Sequence, residues 1–324
     1  MSESLNQFDT EVIAGPCSVD LELVRNLSGY YDLSEIKVRN IKGQIQTCLW
    51  GTRVVGLKSR TNLDGKSPMG ADFNYYFECK ENIIVLKNPL PTAPPPSVEA
   101  GIKIVKETGL LIATEIMMPS VQLPQYEGRI QPEKLLIWQP SVEGLGYAQL
   151  TMGEYARRNI WFQGVKNAKN LDISLDMSND PVKYSGSALQ RQWSGQASFA
   201  QNNERLIFIH RGIDSPDKGE WRSAPVHEIA RHTKRSVIGA RLFFDPSHSC
   251  GPNMRNKIVD ESIKVMRMKD GNNWLYDGLL IEAGESITDS EQHITHDELR
   301  CLLQDLARFR NLRSPDFVEQ KNLS

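Results

Sequence analysis

Eight short apolar runs, spread along the chain and each closed by polar residues or Gly/Pro, constrain the fold more than any other feature of the sequence. They are Val12–Ala14, Arg53–Leu57, Leu110–Thr114, Leu135–Trp138, Ile160–Phe162, Leu206–Ile209, Arg241–Phe244 and Gly278–Ile281. Runs of this length, bounded by turn residues, read as buried strands of a parallel sheet. Between them lie stretches with helical periodicity. Ser97–Thr108 stops at Gly109, and Ala224–Thr233 carries Pro225 in its first turn. Lys257–Met268 follows Asn256 as N-cap, and Asp297–Phe309 closes the chain as an amphipathic helix. Eight strand–helix units in about 300 residues give an α/β chain, expected as a single (β/α)8 TIM barrel over residues 1–324 rather than an open doubly wound sheet. Residues 1–10 read as a short N-terminal segment and 312–324 as a flexible tail. Gly65–Pro96 and Leu171–Asn203 read as long loops after strands two and five, where long loops are usually functional.

Composition narrows the partners. With 38 basic and 40 acidic residues the chain has no global field for a polyanion, so nucleic acid is not expected. No apolar run approaches the roughly 20 residues that span a bilayer, and the first residues lack a basic-then-apolar leader. The expectation is a cytoplasmic protein without a membrane partner. The five cysteines, Cys17, Cys48, Cys79, Cys250 and Cys301, are widely spread without metal-finger spacing, so reduced thiols are the default.

The residues that follow the strands carry the chemistry. Cys17 follows the first, Lys58, Arg60 and Thr61 the second, Glu115 the third, and Lys166 with Asn167 the fifth. His210 and Arg211 follow the sixth, Asp245, Ser247 and His248 the seventh, Glu282 and Asp289 the eighth; the fourth runs into Gln139-Pro140. In a barrel all of these converge on one face. Cys17, His248, Glu282 and Asp289 form a thiolate, imidazole and carboxylate set suited to a divalent transition metal, with Mn, Fe, Co and Zn all compatible. Arg53, Lys58, Arg60, Lys166 and Arg211 form a cationic set suited to small phosphorylated or carboxylated substrates. Taken singly, each has a plainer reading: Cys17 as core, His248 as a local hydrogen-bonder, the cations as solvated. A carboxylate at the end of an apolar strand, as at Glu282, is harder to dismiss because burying it without a partner is costly.

The motifs IAGPCSVD, GLKSRT, ATEIM, GVKN, HRG, FFDPSHS, LLIEAG and SITD occur in the order and spacing of a metal-dependent 3-deoxy-D-arabino-heptulosonate 7-phosphate synthase. The resemblance runs from about residue 11 to residue 309 and is closest to the type I alpha subgroup, on Lys166-Asn167 and Ser286-Ile287-Thr288-Asp289. It implies a transferase of the shikimate pathway that condenses phosphoenolpyruvate with erythrose 4-phosphate, at the entry to aromatic amino acid biosynthesis. It also implies a homodimer or homotetramer. By the same resemblance, Cys17, His248, Glu282 and Asp289 are metal ligands. Arg60 and Thr61 hold the aldose phosphate, Arg53 the phosphoenolpyruvate carboxylate, and Lys166 and Arg211 its phosphate. Glu115 and Asp245 complete the expected substrate-binding set. Lys58, near both substrates, and His248 are the expected catalytic residues.

The chain departs from the family at the fourth strand. Where the family has Gly-Ala-Arg, with the arginine on phosphate, this chain has Ile137-Trp138-Gln139-Pro140-Ser141. Ser59 stands in place of the proline of the family's phosphate motif. About ten residues precede the first strand, so feedback inhibition through an N-terminal extension is not expected. Two alternatives stay open: a diverged member acting on a different keto or enol acid or aldehyde, and a catalytically inactive regulatory or scaffold barrel.

Overall fold

Parallel pairing organises the whole sheet. The computed structural model describes residues 11–16, 38–39, 45–46, 51–55, 77–81, 83–86, 96–108, 111–116, 119–138, 145–159, 162–166, 198, 205–213, 218–285 and 289–310. Eight strands form one sheet: β1 (Glu11–Gly15), β2 (Gly51–Val55), β3 (Leu111–Glu115), β4 (Leu135–Trp138), β5 (Phe162–Lys166), β6 (Leu206–His210), β7 (Arg241–Phe244) and β8 (Gly278–Glu282). Their order is β1-β8-β7-β6-β5-β4-β3-β2, and every ladder is parallel. The C-terminal ends of all eight therefore lie along one edge. The two strands at the ends of the order, β1 and β2, approach each other within 8 Å between Cα atoms. This is a mixed helix-and-strand chain with a parallel sheet, as the eight apolar runs imply.

Side-chain alternation sorts the core into faces. Ile13, Leu111, Ala113, Leu136, Ile207, Ile209, Phe243 and Leu280 pack together on one side. Their neighbours along β1, β6, β7 and β8, including Val12, Ala14, Phe208, Leu242, Phe244 and Leu279, pack on the other side with residues of the C-terminal helices. Ile112, Leu135 and Ile137 pack with Val98, Ile102 and Val105 of α1 (Pro96–Thr108), with Leu123 and Tyr126 of α2 (Pro119–Tyr126), and with Met152 of α3 (Leu145–Asn159). Among the described residues, the remaining helices are α4 (His227–Ser236), α5 (Pro246–Cys250), α6 (Ile258–Met266) and α7 (His296–Phe309). Leu299, Leu302, Leu303 and Leu306 put the apolar face of α7 into the core, each burial worth about 1.5–3 kcal/mol. Thr295 and Glu298 form a reciprocal capping box at its start. Arg310 ends it by donating to the carbonyls of Met266 and Tyr276 while stacking on Trp274.

Several boundaries differ from the expectation. The fifth strand runs Phe162–Lys166, not Ile160–Phe162, so Lys166 is its last residue rather than the one beyond it. The α4 helix starts at His227, not Ala224. Ala224 exchanges both backbone hydrogen bonds with Ile213, and the Val226 N–H donates to His210 Nε2 at 3.0 Å, so 224–226 is spent as extended chain. Asn256 is not an N-cap, because it lies inside a 3-10 turn, Pro252–Lys257, that hands that position to Lys257. Gly65–Pro96 is not all loop: Phe77–Lys80 and Ile83–Leu86 pair antiparallel within it. Apart from Ser198, Leu171–Asn203 lies outside the described residues, as do 1–10 and 312–324. Among the described residues, no helix is long and apolar enough to cross a membrane.

A buried histidine and a half-buried neighbour make the fold sensitive to acid. Burial pushes His210 down to about 3 from an ordinary 6.5, with nearby His227 adding to the effect. Burial, then the cations Arg231 and Lys264, push His227 down to about 4. His227 Nδ1 lies 2.8 Å from the Tyr276 hydroxyl. Both rings are neutral when folded, so the unfolded chain binds protons first. Their contribution is complete above pH 6.5 and is lost as the pH falls from there toward 3–4. Urea unfolding at pH 7.0, 6.0 and 5.0 is expected to show stability falling below pH 6.5, with a limiting slope of about 1.4 kcal/mol per pH unit for each histidine. A flat profile over that range would contradict it.

Candidate metal centre

The turn from β7 into α5 builds one wall of the site. Asp245 follows the strand, and Pro246 occupies the first helical position of a five-residue helix, so the chain folds back and carries His248 over the strand end. Asp245 caps this helix: its Oδ1 accepts from the His248 N–H at 3.1 Å. Its Oδ2 lies 2.8 Å from His248 Nδ1 in a close but poorly aligned approach. Both residues are 1% exposed. The carboxylate thereby favours the tautomer with a proton on Nδ1, which turns the Nε2 lone pair toward Glu282, an arrangement compatible with a metal-bound imidazole.

The end of β8 supplies the second wall. Ser247 Oγ accepts from the Glu282 N–H at 2.9 Å, and Gly15 stands in register with Glu282. Glu282 Oε1 lies 3.5 Å from His248 Nε2. The chain then returns along the strand end: Ile294 N–H donates to the Glu282 carbonyl and Gly284 N–H to that of Ile294. This return brings in Asp289, which adopts the left-handed region at φ +50°, a conformation that Asp tolerates better than most side chains. His248, Glu282 and Asp289 each offer a ligand atom, and all three atoms lie within 4.8 Å of one another. One imidazole and two carboxylates in that compass fit a divalent first-row ion. A cleft of about 600 Å³, lined in part by Trp221, Arg222, Asn253, Asp289 and Gln292, opens beside the set. Asp289 is thus reached from solvent while His248 and Glu282 are buried.

Three neighbours of the set went unrecognised in the sequence. Gln292 Nε2 donates to Glu282 Oε2, and His293 Nε2 lies 3.7 Å from that same oxygen while its Nδ1 meets the Gly284 carbonyl at 2.9 Å. Arg222 donates to Gln292 Oε1 and lies 3.7 Å from Asp289 Oδ1. Gln292 and His293 follow a turn with no periodic signal, and Arg222 sits in a polar loop; only their burial or pairing marks them. The proximity of Gln-His to the SITD stretch was the one available hint.

The other expected site residues divide by position. Arg211 directly follows β6 and is 8% exposed. Asp245, expected on substrate, is turned to His248 with both oxygens. Glu115 and Lys166 have their backbones at the C-terminal ends of β3 and β5. Arg53 lies in the middle of β2, in register with Ala113, not at a strand start. Cys17, Lys58, Arg60, Thr61, Gln139 and Pro140 lie outside the described residues. The thiol of Cys250, two residues past His248, is pushed up to about 12, chiefly by burial and then by Glu261 and Asp245, which makes it unreactive at neutral pH.

Among known protein families and curated proteins, none matches this chain.

Proposed function

We propose that this chain is a metal-dependent condensing enzyme of the heptulosonate phosphate synthase kind, built on a closed (β/α)8 barrel and joining phosphoenolpyruvate to erythrose 4-phosphate. The observation that carries this reading is the convergence of His248, Glu282 and Asp289 at the C-terminal edge of a parallel sheet, where such barrels hold their sites. The strand order, with β1 beside β8 and near β2, supports closure, as does one inner cluster drawn from six strands. Cys17, two residues beyond Gly15, is the proposed fourth ligand. The reading extends to a cytoplasmic homodimer or homotetramer without nucleic-acid or membrane partners.

When bound, a divalent ion (Mn, Fe, Co or Zn) supplies Lewis-acid polarisation of the aldehyde carbonyl. The protein's own groups do the rest. Arg60 and Thr61 hold the aldose phosphate, Arg53 the carboxylate, and Lys166 and Arg211 the second phosphate. These cations offset repulsion between two anionic substrates and orient the enol carbon against the aldehyde. As the new C–C bond forms, Lys58 donates a proton to the nascent alkoxide. Water adds at the enol-ether carbon, and phosphate leaves by C–O cleavage. Asp245 holds the His248 ring throughout.

Purified protein with Mn(II) is expected to release phosphate from phosphoenolpyruvate only when an aldose phosphate is present, and to stop when the metal is chelated. No turnover across a panel of tetrose and pentose phosphates would overturn the assignment. A second reading rests on the fourth strand, where Trp138-Gln139-Pro140 stands in place of a phosphate-binding arginine: turnover with a different aldehyde or keto acid in the same panel would favour it.

A further inference from the structure

We infer that Arg222 and Gln292 are positioning residues that set the orientation of both carboxylates in the metal set; this rests on the metal reading above. Arg222 is anchored to the same helix that carries His248. Its N–H donates to the Cys250 carbonyl at 3.3 Å, and the next residue donates from Ser223 N–H to the Ser249 carbonyl at 3.0 Å. Ser249 Oγ returns a bond to the Ser223 carbonyl at 2.8 Å. Gly251, at φ +68°, leaves the notch in which the Arg222 stem lies, since a Cβ there would sit 2.4 Å from Arg222 Cβ. The loop, the helix and the arginine therefore move as one unit.

From that anchor the guanidinium addresses both carboxylates. Nη1 faces Asp289 Oδ1 at 3.7 Å and donates to Gln292 Oε1; Gln292 passes the constraint on by donating from Nε2 to Glu282 Oε2. The amide can take only this orientation, because a guanidinium only donates and a carboxylate only accepts. Gln292 is 1% exposed, so its amide is held inside the fold. With Oε2 held, Oε1 is the oxygen left toward His248 Nε2. Outer groups that aim ligand oxygens in this way typically govern metal affinity by about 10-fold to 100-fold.

Positioning and plain charge make opposite predictions. A guanidinium near a cation site repels the cation, so charge alone predicts that Arg222→Met tightens metal binding and that Gln292→Leu and Arg222→Lys leave it unchanged. Positioning predicts that all three weaken it. Lysine keeps the charge but lacks the planar fork, and leucine breaks the relay with the charge intact. Mn(II) titrated by calorimetry into metal-free wild type and variants is expected to show dissociation constants raised about 10-fold to 100-fold in each variant. The bound Mn(II) electron paramagnetic resonance spectrum is expected to broaden as Glu282 loses its fixed orientation. Circular dichroism of the metal-free forms checks folding, and Arg222→Lys, the gentlest change, carries the test if Gln292→Leu does not fold. Wild type that binds Mn(II) with variants that bind equally well or tighter overturns the positioning role alone. Wild type that binds none overturns the metal reading and this inference with it.

Discussion

Replacing Glu282 with glutamine is expected to lower Mn(II) affinity and phosphate release by more than about 100-fold, beyond the range of outer-shell losses, while the metal-free protein still folds. The two halves of this result come from the same geometry. Glu282 is 2% exposed and shares the site with Asp289 and, behind His248, with Asp245. Three carboxylates gather around one imidazole, two of them buried and Asp289 partly open to solvent. Like charges this close repel, so neutralising one carboxylate does not remove a support of the fold. On the proposed metal reading, it does remove a ligand that a divalent cation needs. A residue serving the core alone behaves oppositely, losing stability and leaving ligand binding intact. Calorimetric Mn(II) titration alongside urea unfolding of the metal-free variant reads both halves. Retention of wild-type affinity would take Glu282 out of the metal set.

Gly212→Ala is expected to destabilise the protein by about 4 kcal/mol or more, among the largest effects of any single substitution. Gly212 adopts φ +80°, and an added Cβ would lie 1.9 Å from the Ser223 carbonyl oxygen and 2.5 Å from its carbon. Those are backbone atoms, held by the paired bonds between Ile213 and Ala224, so they cannot rotate away as a side chain would. Relief requires the 222–224 segment to break its bonds to Ile213, which also unseats Arg222. Gly219→Ala is the control: it shares the left-handed conformation at φ +59° but has nothing within 4 Å of the added carbon. It is expected to cost only the conformational penalty, about 1–2 kcal/mol. Urea denaturation of the pair isolates the contact; equal losses would mean that the segment does not press on Gly212.

Local sequence carried the elements whose signal is local. Six of the eight apolar runs overlap their strands closely because a buried parallel strand must be apolar on both faces; Leu206–Ile209, for example, becomes Leu206–His210. The closing helix was legible from its apolar spacing; its threonine–glutamate capping box emerges only in the structure. The misplaced elements were those in which a partner distant in sequence competes for the backbone. Ala224 leaves α4 because Ile213 claims it, and the site-bearing helix Pro246–Cys250 went unnoticed because five residues show no period.

The same division holds for the candidate site. Residue types and their order after each strand nominated His248, Glu282 and Asp289, since a strand end that breaks an apolar run with an imidazole or a carboxylate is visible one residue at a time. Only the tertiary structure decided which of those groups meet. The parallel order put the strand ends on one edge, the Asp245 cap turned His248 toward Glu282, and the return along Gly284–Ile294 brought Asp289 and Gln292 beside them. Arg222 belongs wholly to that second category: 60 residues upstream of Glu282, it reaches the carboxylates only because Gly251 lets two loops close to van der Waals distance.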